Sequence, residues 1–268
     1  MNIMITGTSC GIGRAIAEKF LKEGHTVWGL DIADPTITHD HFVPYHTDIS
    51  RKDTFPEGLL PDILINNAGI QTPLYPQYRR KAAAHSFENE SSAATAVDSV
   101  NGSDVSPENG ISAGDPEKLT ADMIHDIDVN LKGAIRITEQ YAIGNPHIKS
   151  VVFIGSASAH TGAEFPIYTA SKSGLMAYVK NVAARLAPQA TCNSLDPGGV
   201  LTNVNKPVMD DPALWQEIMN VTPLKRWAEP EEIADWAYFI SVVNKFMTGQ
   251  NLLIDGGEAN YQHFVWPE

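Results

Sequence analysis

Residues 2–13 read NIMITGTSCGIG, a short apolar run with strand character that passes directly into a turn carrying glycine at positions 7, 11 and 13. A helical pattern follows, in which Ile16, Ala17, Phe20 and Leu21 share one face, and Gly24 stops it. Strand, glycine turn and helix in this order make a cradle for phosphate. Glycine permits a tight turn and close approach of the main chain, and the positive end of the helix dipole favours a pyrophosphate. The same letters fit a plain sharp turn, and the spacing Gly-x-x-x-Gly-x-Gly departs from the commoner Gly-x-Gly-x-x-Gly. Placement between a strand and a helix favours dinucleotide binding, with Gly7, Ser9, Cys10, Gly11, Ile12 and Gly13 as the contact set.

Working outward, a second strand at residues 26–30 ends in Asp31, followed by Ile32. A carboxylate there accepts hydrogen bonds from the ribose hydroxyls and repels a 2′-phosphate, which points to NAD rather than NADP. Cys10 agrees, because an arginine or lysine in the glycine turn would be the natural partner of the extra phosphate. The alternative for Asp31 is a strand-end turn residue. A third strand, at 42–47, leads to Asp48 and Ile49, where Asp48 is a partner for the adenine amine. His39, His41 and His46 stand among aspartates but match no compact ligand spacing, so no metal is expected. Pro56, Gly58 and Pro61 leave room for only a short crossover helix. The fourth strand, at 62–66, is continuously apolar, as a buried parallel strand should be, and runs into Asn67, Ala68 and Gly69.

Residues 71–118 break this rhythm, with Pro73, Pro76, a basic triplet at 79–81 and a long small and polar stretch in which 82–100 could be helical. They read as an insertion, either a lid beside the substrate mouth or a disordered segment. A helix capped by Thr120 carries Met123, Ile124, Ile127, Leu131, Ile135 and Ile137, holds Asn130 in its interior and closes at Gly144. The fifth strand, at 149–155, delivers Ser156, and the helix after it bears Tyr168 and Lys172, four residues apart and so on one face. A phenol with an ordinary pKa of about 10 is a poor base, and a neighbouring ammonium is expected to lower that value. Tyr168 and Lys172 could also be ordinary surface residues of an alanine-rich helix. A sixth strand at 191–195 runs into Asp196, Pro197, Gly198, Gly199 and Val200. Residues 202–222, with Trp215 and Met219 at helical spacing, suggest a flap or a packed surface helix. A helix from Pro230 through Ser241 should place Trp236 and Phe239 inward, a seventh strand occupies 250–254, and Tyr261, Phe264 and Trp266 are expected to pack.

The chain's 268 residues, 43% of them hydrophobic, suffice for one α/β domain spanning 1–268, a doubly wound seven-stranded parallel sheet with the insertion after strand 4. Nineteen basic against 32 acidic residues give a net charge of −13, which disfavours nucleic acid and acidic membrane as partners. Two cysteines, no signal peptide and no apolar run of membrane length point to a reducing, cytoplasmic setting.

Taken together, TGTSCGIG, Asp31, Asp48, NNAG, Asn130 in VNLKG, Ser156 in FIGS, YTASK, PGGVLT and the late TGQ and DGG resemble the short-chain dehydrogenase/reductase family, of the compact single-domain kind. The resemblance spans nearly the whole chain except 71–118. It implies NAD as cofactor and a small alcohol or ketone as substrate. It also implies Tyr168 as general acid/base, Lys172 lowering its pKa and holding the nicotinamide ribose, Ser156 on the substrate oxygen and Asn130 in a proton relay. Asn67, Ala68, Gly69, Pro197, Gly198, Val200 and Thr202 would line the cofactor, and a homo-oligomer, tetramer or dimer, is implied through the two long helices. Ser156 precedes Tyr168 by 12 residues, one fewer than the family's usual spacing, and Ser158 is a rival hydroxyl. The opening of the chain and the brief link after the second strand are also similar to bacterial hydroxysteroid dehydrogenases. Two rivals stand beside this reading. An epimerase or dehydratase would need a larger C-terminal substrate domain, and a non-catalytic NAD-sensing regulator would need neither Tyr168 nor Lys172.

Overall fold

The computed structural model describes residues 1–71, 121, 124–162 and 165–260. The strands β1 (Asn2–Thr6), β2 (Thr26–Asp31), β3 (Phe42–His46), β4 (Ile63–Asn66), β5 (Ser150–Ile154), β6 (Thr191–Pro197) and β7 (Asn251–Ile254) form one sheet in the order β3-β2-β1-β4-β5-β6-β7. Every neighbouring pair is parallel. Alternation along each central strand divides the core into two layers. Ile3, Ile5, Ile63, Ile65, Val152 and Ile154 enter one layer, and Met4, Leu64, Val151 and Phe153 enter the other. The first is covered by α1 (Gly11–Lys22) through Ile16 and Phe20 and by α7 (Pro230–Tyr238) through Ala234 and Ala237. The second is covered by α2 (Ala134–Tyr141) through Ile137 and Tyr141 and by α4 (Pro166–Leu186) through Val179 and Val182. Shorter helices α3 (Ser158–Thr161), α5 (Lys206–Met209) and α6 (Pro212–Val221) lie beyond the strand ends.

From β1 the chain winds outward through β2 and β3, then returns to β4 on the other side of β1. The order therefore reverses between β1 and β4, and a crevice opens beyond their carboxyl ends, where doubly wound sheets bind ligands.

Several expectations change. The third strand stops at His46, leaving Thr47 and Asp48 beyond it. Thr120 and Met123 lie outside the described residues, as do the helical tendency at 82–100 and the aromatic tail at 261–268. The helix around Asn130 is not uniformly α-helical: Asp128–Gly133 is a π-helical segment, and α2 begins only after it. Gly133 sits in this wider turn because a Cβ there would come within 2.8 Å of the Ile49 side chain. Trp236 and Phe239 face outward, 42% and 45% exposed, with ring centroids 5.9 Å apart. The inward stripe of α7 and its continuation is instead Ile233, Ala234, Ala237 and Ile240, small enough to let the helix lie close against α1. No helix among the described residues is long and apolar enough to cross a membrane.

Candidate active site

The glycine turn is held by its neighbours as much as by its own conformation. Gly7 and Gly11 have φ of +75° and +54°, the left-handed region that side chains avoid. Gly13 is required for space: a Cβ would lie 2.0 Å from the Gly7 carbonyl oxygen and 2.2 Å from Asn67 Nδ2. Thr6 Oγ1 accepts the N–H groups of Asn67 and Ala68, each at 3.0 Å, while Asn67 Nδ2 donates to the carbonyls of Thr6 and Gly7, also at 3.0 Å. The turns after β1 and β4 are thus laced into one unit.

At the end of β2, Asp31 accepts from the Ser9 N–H at 2.8 Å and the Ala33 N–H at 2.9 Å. Its carboxylate borders a cleft lined also by Thr8, Ser9, Gly29, Tyr45 and His46. Cys10 is exposed at the N-cap position of α1, and Ile32 is 64% exposed beside Asp31. Asp48 accepts from the Ser50 N–H and hydroxyl at 2.8 and 2.7 Å. Ile49 and Ile12 lend their side chains mainly to the hydrophobic layers. β6 runs two residues beyond the expected 195, and at its end Pro197 takes the Ala157 N–H at 2.8 Å; beyond it Gly198 lies against Asp255, and Val200 bridges to Ala228. Thr202 comes back over the glycine turn, its Cγ2 3.5 Å from where a Cβ of Gly11 would stand. Trp215 of α6 packs edge-on against Trp227, with centroids 5.0 Å apart, and Trp227 fills the space left by Gly199.

Ser156, Tyr168, Lys172 and Asn130 come together beside this crevice. Lys172, 4% exposed, donates from Nζ to the Ile154 carbonyl at 2.9 Å and lies 5.6 Å from the Tyr168 ring centroid. Ser156 is the serine that acts on the Tyr168 phenol, and its Oγ lies 2.9 Å from Ser158 Oγ and accepts the Ser158 N–H at 3.2 Å. Ser156, rather than its rival, therefore meets the phenol. Asn130 Oδ1 accepts the Ile70 N–H at 2.7 Å, and its Nδ2 donates to the Ile70 carbonyl at 2.8 Å and to Ser171 Oγ at 3.2 Å. Ser171 Oγ in turn donates to the Tyr168 carbonyl at 2.6 Å. A Cβ on Gly69 would stand 3.1 Å from Asn130 Oδ1 and 3.3 Å from Lys172 Nζ, so that small residue lets the three approach.

The expected lowering of the Tyr168 pKa is not what this environment gives. Burial disfavours the phenolate and raises the phenol above its ordinary value, the nearby Asp126 adds to that, and the Ser156 hydrogen bond opposes it. Lys172 is directed at Ile154 rather than at the phenol oxygen, and burial pushes the amine down to about 8 against the pull of the Asp196 carboxylate.

Asp196 and its partner His160 went unread in the sequence. The Asp196 side chain is 0% exposed, and its Oδ2 is 2.6 Å from His160 Nε2; the His160 side chain is 24% exposed although its residue lies at the surface. Asp196 stood just past the expected end of the sixth strand, where an acid reads as an ordinary turn residue. Nothing marked the second, 36 residues away. Thr6 and Ser171 were also missed, because a threonine or serine in an element interior carries no signature of what it will hold. Among the described residues no group of three or more His, Cys, Asp or Glu could hold a metal ion. Cys10 and Cys192 are both free, and burial pushes the Cys192 thiol up.

A family profile described as enoyl-(acyl carrier protein) reductase matches residues 109–258. An uncharacterised oxidoreductase of Schizosaccharomyces pombe is 27% identical over 283 residues, covering 95% of this chain and 89% of that protein. An L-rhamnose 1-dehydrogenase (NAD(P)(+)) of Sphingomonas sp. is 34% identical over 135 residues, 48% of this chain and 53% of its own length. The solved structure of 4-hydroxyisoleucine dehydrogenase complexed with NADH superposes with a TM-score of 0.76 at 26% identity, covering 97% of this chain and 99% of that one.

Proposed function

Because this chain belongs to the short-chain dehydrogenase/reductase family, we propose that it is an NAD-dependent oxidoreductase interconverting a secondary alcohol and a ketone, with Tyr168 as general acid/base. The observation that carries this reading is the convergence of Tyr168, Ser156 and Lys172 beside the crevice between β1 and β4. The glycine turn suits a pyrophosphate, and Asp31 at the end of β2 suits free ribose hydroxyls, which supports NAD over NADP. Asn67, Ala68, Gly69, Val200 and Thr202 would line the remainder of the dinucleotide. When bound, that cofactor supplies a hydride acceptor or donor.

Tyr168 exchanges the proton on the reacting oxygen. A phenol kept protonated by burial is ready to donate to a ketone, and in the oxidative direction a cation as near as Lys172, 5.6 Å from the ring, would favour the phenolate that must receive the alcohol proton. Ser156 steadies the oxygen as charge develops on it. Asn130, tied to Ile70 and Ser171, keeps the rim of the site and the Tyr168 turn in register and stands where a water-borne proton could pass. The relatives named for a sugar and a hydroxy amino acid support a small hydroxylated substrate, and a hydroxysteroid is the other class to examine. We further infer a single-domain cytoplasmic protein that assembles with copies of itself.

Nicotinamide absorbance with a panel of sugars, hydroxy acids, steroids, alcohols and ketones tests the reading. Tyr168→Phe should lower turnover by roughly 10²- to 10⁴-fold while NADH fluorescence still reports binding. Retained turnover in that variant would remove Tyr168 from the chemistry. NAD binding with no hydride transfer to any compound would favour the sensing regulator.

A further inference from the structure

The pair His160–Asp196 stands behind the proton-handling residues without being one of them. Asp196 lies on β6 with its side chain fully enclosed. Its Oδ1 occupies the space where a Cβ on Gly155 would stand, 1.9 Å from that position, and finds no hydrogen-bond donor at bonding distance. Gly155 joins Ile154, whose carbonyl holds Lys172, to Ser156, which holds Tyr168. The carboxylate is therefore pressed against the link between the two catalytic contacts. Its other oxygen is held by His160 on α3, the helix whose first residue, Ser158, is bonded to Ser156.

Lys172 is enclosed, and its hydrogen bond to Ile154 goes to a neutral carbonyl. An ammonium in such a place needs an opposite charge. Among the described groups the surroundings offer few. From α4 comes Tyr168, from α3 His160, and Asp126 acts on Tyr168. β5 offers only the main chain of Ile154 and Gly155, and β7 places Leu253 opposite Asp196. Ser194, which donates to Asn251, lies near enough to steady the carboxylate. Asp196 is the carboxylate whose attraction Lys172 feels.

We propose that Asp196, clamped by His160, is a positioning residue for hydride-transfer chemistry: it is the counter-charge that keeps Lys172 an ammonium, and it seats the turn that presents Ser156. This rests on the reading that Tyr168 and Lys172 handle the proton. The sign follows directly. An anion beside Lys172 favours the protonated amine, so removing it lowers the pH at which the proton leaves. Burial raises Asp196 above the usual carboxylate range, and the His160 hydrogen bond opposes that rise and so favours the ionised form. Loss of His160 should act in the same direction, by less.

The test is NMR titration of protein labelled at the lysine ε-carbons, with Lys172→Met identifying the Lys172 signal and circular dichroism confirming folding. In the native protein that signal should titrate below the other lysines. Asp196→Asn should move its midpoint down by about one pH unit or more, and His160→Gln should move it down by a smaller amount. Where Asp196→Asn does not fold, the partly exposed His160→Gln carries the same sign. A midpoint unchanged in the folded variants overturns the proposal. The alkaline limb of kcat should follow the lysine midpoint, a change that a merely structural loss would not produce. If the midpoint moves but no compound in the panel is oxidised or reduced, the charge pairing stands and the assigned reaction fails.

Discussion

At the scale of single residues, the site depends on where carboxylates sit. Asp31 is placed by two N–H groups at the lip of the cleft after β2. Asp31→Asn keeps an acceptor for the main chain but removes the charge. The expected outcome is a fall of about tenfold in kcat/KM with NAD, the scale of a lost charge-assisted hydrogen bond, and a narrower preference over NADP, read by steady-state kinetics with each cofactor. An unchanged preference would mean that Asp31 serves only its own turn. This residue was legible because a strand followed by an acid is a local pattern. The His160–Asp196 pair was not, because two chain segments 36 residues apart meet only when β5 and β6 lie side by side. Nor was the raised Tyr168 pKa legible, since spacing gives the nearness of Lys172 but not the desolvation of the phenol.

At the scale of elements, β1 and β4 were readable as short continuous apolar runs, and in the folded sheet the side chains of β1, β4 and β5 alternate between the two core layers. The π-helical segment was not readable, because it arises from the fit of Gly133 to Ile49 and of Asn130 to Ile70, both contacts distant in sequence. The inner face of α7 was misjudged for a related reason. Large aromatic side chains attract the eye, yet close packing against α1 calls for alanine. The glycine turn gives the sharpest element-level prediction. Gly13→Ala drives a methyl into the Gly7 carbonyl and should cost about 1–3 kcal/mol, lowering Tm by roughly 3–10 °C and weakening NAD binding. Gly24→Ala, with nothing within 4 Å of the new Cβ, should cost about 1–2 kcal/mol of left-handed backbone strain and leave NAD binding unaltered. Differential scanning calorimetry and cofactor titration distinguish the two. Equal loss of binding in both variants would contradict the packing argument.

At the scale of the whole molecule, the outward face of α7 and the turn after it is the conspicuous surface. Trp236, Phe239, Val243 and Phe246 are 42%, 45%, 54% and 98% exposed, an apolar row on a chain of net charge −13. Self-association would cover it, so Trp236→Glu with Phe239→Glu should shift the sedimentation coefficient to that of a smaller species. A sedimentation profile unchanged from the native protein would place any contact between copies elsewhere. A different consequence follows from the clasp between Asn130 and Ile70. Two hydrogen bonds there join the chain on either side of the stretch between β4 and the π-helical segment. The Ile70 N–H is given to the amide oxygen of an enclosed asparagine, so it is expected to exchange with solvent slowly, and hydrogen exchange at that one amide reads whether the clasp is shut.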